Sequence, residues 1–106
     1  MKLGILNTSI LTEAGEYRLI DITLGEAKII VSTNELDSAV GHQSTADIMT
    51  TLLDIEIPMN RQMFSQKVGQ SCIVFKLNGR PAEGKILTTE EIETMGYKFQ
   101  LLTRNA

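Results

Sequence analysis

The residues best suited to chemistry surround the only histidine of the chain, in the segment 41–45, Gly-His-Gln-Ser-Thr. A short apolar run ends just before this segment, and apolar residues at helical spacing begin just after it. Ser44 or Thr45 is a natural N-cap for that helix, so His42 would lie in a strand-to-helix turn. Free backbone N–H groups and the positive end of the helix dipole favour a bound anion there, above all a phosphate. This placement suggests an enzyme that breaks phosphodiester bonds with His42 as the proton carrier, because imidazole titrates near neutral pH.

Three cationic side chains and one carboxylate elsewhere in the chain could complete a phosphate site: Arg61, Arg80, Glu83 and Lys85. Arginine holds phosphate through a bidentate fork, and Glu83 could orient an arginine or a ribose hydroxyl. Each residue also has a plain structural explanation. Two solvated arginines and a surface ion pair between Arg80 and Glu83 would contribute little, and a lone histidine at a helix start is often only structural.

Asn7 and Ser9 follow the first predicted strand in the polar loop Asn7-Thr8-Ser9. Side chains at the end of a strand can contact a ligand. Turn chemistry is the alternative, because Asn and Ser readily bond to their own backbone.

The composition narrows the class of protein. The chain has 106 residues, ten Lys and Arg against thirteen Asp and Glu, and a net charge of −3. We do not expect a long nucleic acid as a partner, because proteins that bind one show a broad basic surface. One histidine and one cysteine cannot build a zinc site of the usual kind. The sequence also lacks calcium-loop, Walker, dinucleotide-binding and nucleophile-elbow motifs. We therefore expect metal-independent chemistry without a cofactor.

The chain lacks the features that direct proteins to membranes. Its N-terminus does not resemble a signal peptide, and no stretch approaches the ~18 apolar residues of a membrane helix. We expect no membrane partner and a cytoplasmic location, which is the host cytoplasm if a virus or phage encodes the chain. Cys72 lies in an apolar run, so a buried thiol is expected.

Apolar alternation predicts strands at residues 2–6, 17–22, 36–40, 63–66, 71–77 and 97–103. Helices are predicted at 24–31, after an N-cap at Thr23, and at 46–54. A short third helix would begin after Thr88 or Thr89 and end at Gly96. The β-branched run 29–31 also suits a strand. The interleaving of strands and helices predicts a single α/β domain over residues 1–106, with a mixed β-sheet flanked by α-helices.

Three segments together resemble the viral ring nuclease family, the type III anti-CRISPR proteins of archaeal viruses, phages and integrative elements. They are Gly-His-x-Ser-Thr at 41–45, Asn60-Arg61, and Arg-x-x-Glu-Gly-Lys at 80–85. The opening Leu6-Asn7 and the closing helix with its aromatic strand are also similar. The resemblance therefore covers nearly the whole chain.

This resemblance implies a homodimer that degrades cyclic tetra-adenylate, the second messenger of type III CRISPR defence. By position, His42 would be the general acid, Arg80 would stabilise charge at the phosphate, and Glu83 would position the reacting groups. The residues expected to bind substrate are Asn7, Ser9, Ser44, Thr45, Arg61 and Lys85.

An RNA phosphodiester carries its own nucleophile, the ribose 2′-hydroxyl. The protein need only align that hydroxyl, neutralise charge and protonate the 5′-oxygen. With one histidine per chain, we expect the base to be water or absent. A two-fold dimer would place His42 at two opposite phosphates of the ring. The product would be linear di-adenylate, first with a 2′,3′-cyclic phosphate end.

Two other functions fit the same residues. A sponge would bind a cyclic oligonucleotide without cutting it. A small regulatory or interaction protein would bind nucleic acid or a host protein through a basic or apolar patch, and the sequence shows neither patch.

Overall fold

The computed structural model describes residues 1–79 and 87–106, in which strands and helices alternate along the chain. The strands are β1 (Leu3–Leu6), β2 (Tyr17–Ile22), β3 (Leu36–Ser38), β4 (Ser71–Leu77) and β5 (Tyr97–Arg104). The helices are α1 (Leu24–Ser32), α2 (Gln43–Leu53) and α3 (Thr89–Met95). The five strands form one sheet, which confirms the predicted α/β class.

The sheet is mixed, with the strand order β2-β5-β4-β1-β3. β1 runs parallel to both of its neighbours, β3 and β4, whereas β5 is antiparallel to β4 and β2. From β1 the chain runs to β2 at the far edge of the sheet, returns through α1 to β3 on one side of β1, and then passes through α2 to β4 on the other side. Because β3, β1 and β4 are parallel, their carboxyl ends lie at one edge of the sheet, and ligands of open α/β sheets bind outside the carboxyl ends of such strands.

All three helices pack on one face of the sheet. Their buried side chains share one apolar cluster with Ile5, Phe75 and Phe99 from the strands. The ring centroids of Phe75 and Phe99 lie 5.1 Å apart. The opposite face is covered by irregular segments, where Phe64 packs against Cys72 and other strand residues.

The first helix forms in spite of its β-branched run. The Thr23 hydroxyl accepts a hydrogen bond from the Glu26 N–H at 3.1 Å, and the Glu26 carboxylate accepts one from the Thr23 N–H at 3.0 Å. Ala27 and Val31, four residues apart, are both buried on the helix face that meets the sheet. A capping box and a buried face thus outweigh weak helix propensity. The same box at Thr88 and Glu91 begins α3, and Gly96, the predicted end, is its C-cap.

Two predicted element bounds are wrong by more than one residue, and one predicted strand does not form. α2 begins at Gln43, three residues before the predicted start, and its N-cap is His42 instead of Ser44 or Thr45. β3 ends at Ser38, because the carbonyl of Val40 bonds to the later residue Asn60 and not to a strand. Residues 63–66 form no strand. Phe64 and Gln66 are buried and alternate with exposed residues, but the segment lies on a sheet face where it has no ladder partner.

Arg104, at the end of β5, joins the irregular segments of the helix-free face. Its Nη1 donates to Glu13 Oε1 at 2.8 Å and to the carbonyl of Gln66 at 2.7 Å. Its guanidinium lies 5.6 Å from the centre of the Tyr17 ring. The hydrogen bond and charge of Arg104 hold the pKa of the Glu13 carboxyl below its ordinary value.

Within residues 1–79 and 87–106, no helix combines the length and apolar character that crossing a membrane requires.

Candidate functional site

A pocket of about 560 Å³ opens at the carboxyl ends of β1 and β4, beside the N-terminus of α2. This volume falls in the range of about 300–1,000 Å³ that is typical of small-molecule sites. The pocket also lies outside the carboxyl ends of parallel strands, where a ligand site of an open α/β sheet is expected. The described residues that line it are Asn7, His42, Ser44, Thr45, Phe75, Leu77 and Gly79.

Four of the predicted site residues therefore meet in one pocket: Asn7, His42, Ser44 and Thr45. They are up to 38 positions apart in the sequence. Asn7 directly follows β1, and the other three belong to the turn and first helical turn after β3. The parallel pairing of β1 with β3 brings these two chain segments side by side.

The N-terminus of α2 presents unpaired donors to this pocket. His42 has an extended backbone, with φ −131° and ψ 130°, and its side chain makes no cap hydrogen bond. Within the described part of the chain, no group accepts from the N–H groups of Gln43, Ser44 or Thr45. None of the described lining residues carries a carboxylate. Donors, hydroxyls and the helix dipole together make the pocket suitable for an anionic ligand.

A later segment supports the turn that carries His42. We call residues 57–62 the strap. Asn60 donates from its backbone N–H to the carbonyl of Val40 at 2.8 Å, and from Nδ2 to the carbonyl of Ser38 at 2.9 Å. The Ser38 hydroxyl donates to the carbonyl of Pro58 at 2.7 Å. At the start of the strap, the N–H of Ile57 donates to the hydroxyl of Thr50 in α2 at 2.9 Å. The strap is thus bonded both to the turn and to the helix that follows it.

Two predicted ligand-binding residues lie outside the described lining. Arg61 is exposed, and its Nε donates to the carbonyl of Gly41 at 2.8 Å. This bond occupies one edge of the guanidinium and places Arg61 next to the histidine. Ser9 is half-buried two residues after Asn7 and does not line the pocket.

The remaining predicted residues, Arg80, Glu83 and Lys85, lie outside the described residues. The described chain resumes at Leu87, which is buried in the main apolar cluster.

Sequence reasoning missed the apolar wall of the pocket. Phe75, Leu77 and Gly79 line it at the carboxyl end of β4. The run 71–77 predicted the strand, and Asn78-Gly79 predicted its turn, but not which strand lies beside β1. The sequence did not show that β4 runs parallel to β1 and next to it. Parallel strands bring their carboxyl ends to one edge of the sheet, so this pairing places the end of β4 at the pocket.

The single thiol takes no part in this site. Cys72 is buried on the helix-free face, and burial raises the pKa of its thiol to about 12. A neutral thiol in an apolar core is a poor nucleophile and a poor metal ligand. In the described portion of the chain, no three His, Cys, Asp or Glu side chains lie close enough together to hold a metal ion.

These features define a small open α/β protein with a polar pocket at a helix N-terminus. A model of the STIV B116-like family matches residues 3–99. The chain belongs to this family.

Relatives occur in bacteria and in archaeal viruses. The uncharacterized protein YddF of Bacillus subtilis strain 168 is 37% identical over 106 residues, which is 98% of each chain. Uncharacterized protein 26 of a Sulfolobus islandicus filamentous virus is 39% identical over 82 residues, or 76% of this chain and 70% of that protein. Uncharacterized protein ORF117 of Acidianus two-tailed virus is 32% identical over 108 residues, which is 96% of this chain and 92% of that protein.

The fold is also that of a solved structure. B116 of Sulfolobus turreted icosahedral virus superposes with a TM-score of 0.86, at 21% sequence identity, over 97% of this chain and 99% of that chain. At this identity the likeness establishes the shared fold.

Proposed function

We propose that the protein is a metal-independent phosphodiesterase that degrades cyclic tetra-adenylate to linear di-adenylate. The observation that supports this most directly is the position of His42. The only histidine of the chain lines a pocket with Asn7, Ser44 and Thr45, at a helix N-terminus with unpaired N–H groups. An anion-binding helix end next to a proton donor is what phosphodiester cleavage requires.

In the proposed reaction the ribose 2′-hydroxyl attacks the adjacent phosphorus, and the bond to the 5′-oxygen breaks. The hydroxyl proton passes to water, and the His42 imidazolium donates its proton to the departing 5′-oxygen. The products are a 2′,3′-cyclic phosphate end and a free 5′-hydroxyl. The helix N–H groups and hydroxyls would stabilise the charge that develops on the phosphoryl oxygens. A well-placed general acid contributes about 10²–10⁴ in rate.

A homodimer would complete the proposed site. One pocket of about 560 Å³ has the volume of a single small-ligand site, whereas a ring of four nucleotides carries four phosphates and four bases. Two pockets related by a two-fold axis would place one His42 at each of two opposite phosphates. Cleavage at both yields two molecules of di-adenylate. The presence of relatives in archaeal viruses supports a role against type III CRISPR signalling.

The experiment is an incubation of the purified protein with cyclic tetra-adenylate in EDTA, with products identified by mass spectrometry. We expect di-adenylate carrying a 2′,3′-cyclic phosphate. A ring with 2′-deoxyribose at every position is the control, and it should remain intact because it lacks the nucleophile. Cleavage of the deoxy ring would exclude the proposed mechanism. Recovery of the intact ribose ring after tight binding would instead indicate a sponge.

A further inference from the structure

The imidazole of His42 is not held in place by hydrogen bonds of its own to the described residues. Its residue is exposed, and no described residue forms a hydrogen bond with its side chain. A general acid must nevertheless be held near its target atom, because small displacements reduce rates steeply. The position of this side chain must therefore come from the backbone that carries it.

The strap forms hydrogen bonds to three carbonyls of that backbone. The carbonyls of Ser38, Val40 and Gly41 all accept hydrogen bonds from Asn60 and Arg61, at 2.8–2.9 Å. The Ser38 carbonyl also accepts one from Nε2 of Gln62, at 2.6 Å. Each carbonyl belongs to a peptide unit on the path from β3 to His42. Fixing these peptide planes fixes the dihedral angles by which the chain reaches the histidine.

The opposite end of the strap is also anchored. Ile57 is only 3% exposed, and its N–H bonds to the hydroxyl of Thr50 in α2. Val40 is wholly buried at the other side of the turn. The strap therefore spans from the helix that follows His42 to the strand that precedes it.

We propose that Asn60 is a positioning residue for His42. Asn60 is the strap residue that bonds with both its backbone and its side chain, and the two bonds bracket Ala39 in the turn. It does not line the pocket and would not touch the substrate. The effect of Asn60 on turnover rests on the function proposed above, whereas its effect on the histidine does not.

Asn60→Asp is the most informative variant, because it keeps the size of the side chain and the backbone N–H. It replaces the Nδ2 donor with an oxygen that faces the carbonyl of Ser38. Asn34→Asp is the matched control, since Asn34 Nδ2 donates to the carbonyl of Ile30 at 2.8 Å, at the end of α1. Both changes place a carboxylate against a carbonyl, so both should lower stability, but only the first adjoins the turn.

Steady-state cleavage of cyclic tetra-adenylate gives the first measurement. For Asn60→Asp we expect kcat to fall by about ten- to a hundredfold, as for a slightly misplaced catalytic group, with KM changed by less than about twofold on the same argument. Asn34→Asp should keep the wild-type values of both. An unchanged kcat would overturn the proposal. A rise in KM alone would also overturn it, because it would mean that Asn60 contacts the ligand.

The second measurement needs no substrate. The chain has one histidine, so the imidazole Cε1–H signal in a carbon–proton NMR spectrum arises from His42 alone. We expect this signal to move in Asn60→Asp and to stay in place in Asn34→Asp. An unmoved signal in Asn60→Asp would overturn the proposal. If the wild-type protein cleaves nothing, the function proposed above fails, and this spectrum still decides the role of Asn60. Asn60→Ala serves for both measurements if the aspartate variant does not fold.

Discussion

Gly4 lies in the middle of β1, where the sheet leaves no room for a side chain. A Cβ added there would lie 2.6 Å from the Sγ of Cys72 and 2.8 Å from the Cζ of Phe64. Both neighbours are buried on the helix-free face of the sheet. Glycine is thus required at this position by close packing, and Gly4→Ala should be destabilising.

The size of the effect follows from two opposing contributions. Overpacking a core by one methyl group costs about 1–3 kcal/mol. Alanine is favoured over glycine in a strand by about 0.5–1 kcal/mol. At the midpoints of these ranges the net loss is about 1 kcal/mol, and each kcal/mol lowers Tm by about 4–8 °C in a domain near this size. Gly25→Ala is the control, because a Cβ there meets only the Thr23 hydroxyl oxygen, at 3.9 Å.

A double variant tests the cause. Cys72→Ala removes the nearest atom and should itself cost about 0.5–1.5 kcal/mol, as does loss of one buried methylene. If the thiol is the obstacle, Gly4→Ala should cost less in the Cys72→Ala background, by at least about 0.5 kcal/mol. Urea unfolding followed by circular dichroism gives the four free energies of unfolding. Strict additivity, or a Gly4→Ala protein as stable as wild type, would refute this reasoning.

Three further predictions concern charge, capping and the thiol. Arg104 lowers the pKa of Glu13 in the folded protein, so the stability that Glu13 supplies is present above its ordinary pKa of 4.5 and is lost as pH falls through the lower folded value. The difference in free energy of unfolding between wild type and Glu13→Gln, measured with urea, should therefore shrink below about pH 4.5. A difference that does not change with pH would contradict this. Thr88→Ala should lower the free energy of unfolding by about 1 kcal/mol, because it removes the hydroxyl that caps α3. Thr94→Ala is the control and should change this free energy by less than about 0.5 kcal/mol, because it removes only a bond to the carbonyl of Glu90 within the same helix. The thiol of Cys72, with its pKa raised to about 12, should react with a disulfide reagent at pH 8 only after unfolding, and rapid labelling of the native protein would show that the thiol is accessible.

Local sequence signals predicted most of the elements. The capping residues Thr23 and Thr88, the alternation of β2 and the apolar run of β4 all mark structure through contacts between near neighbours. These signals depend on interactions between residues close in sequence, so tertiary structure does not alter the elements they predict. The segment around Phe64 shows the opposite case. Its alternation was real, but a strand also needs a partner, and that partner is set by tertiary structure.

The pocket was only partly predictable, for the same reason. Its polar residues were visible as a polar loop after a strand and as a histidine before a helix. The sequence did not predict that α2 starts without a side-chain cap. Ser44 and Thr45 favour capping, but they line the pocket instead. The support from Asn60 was likewise hidden, since it depends on a segment without regular structure reaching back to the turn. Departures from local preference of this kind are expected where a site is built.

We propose that His42 is the general acid of a ring-cleaving enzyme. The most direct test compares wild type, His42→Ala and Gln43→Ala for cleavage of cyclic tetra-adenylate in EDTA and for binding by calorimetry. Gln43 is the exposed neighbour whose side chain bonds to Asp47, so its replacement should leave both properties intact. We predict that His42→Ala binds the ring with nearly wild-type affinity and cleaves it at least about 10²-fold more slowly. Cleavage by His42→Ala at the wild-type rate would exclude this role for His42.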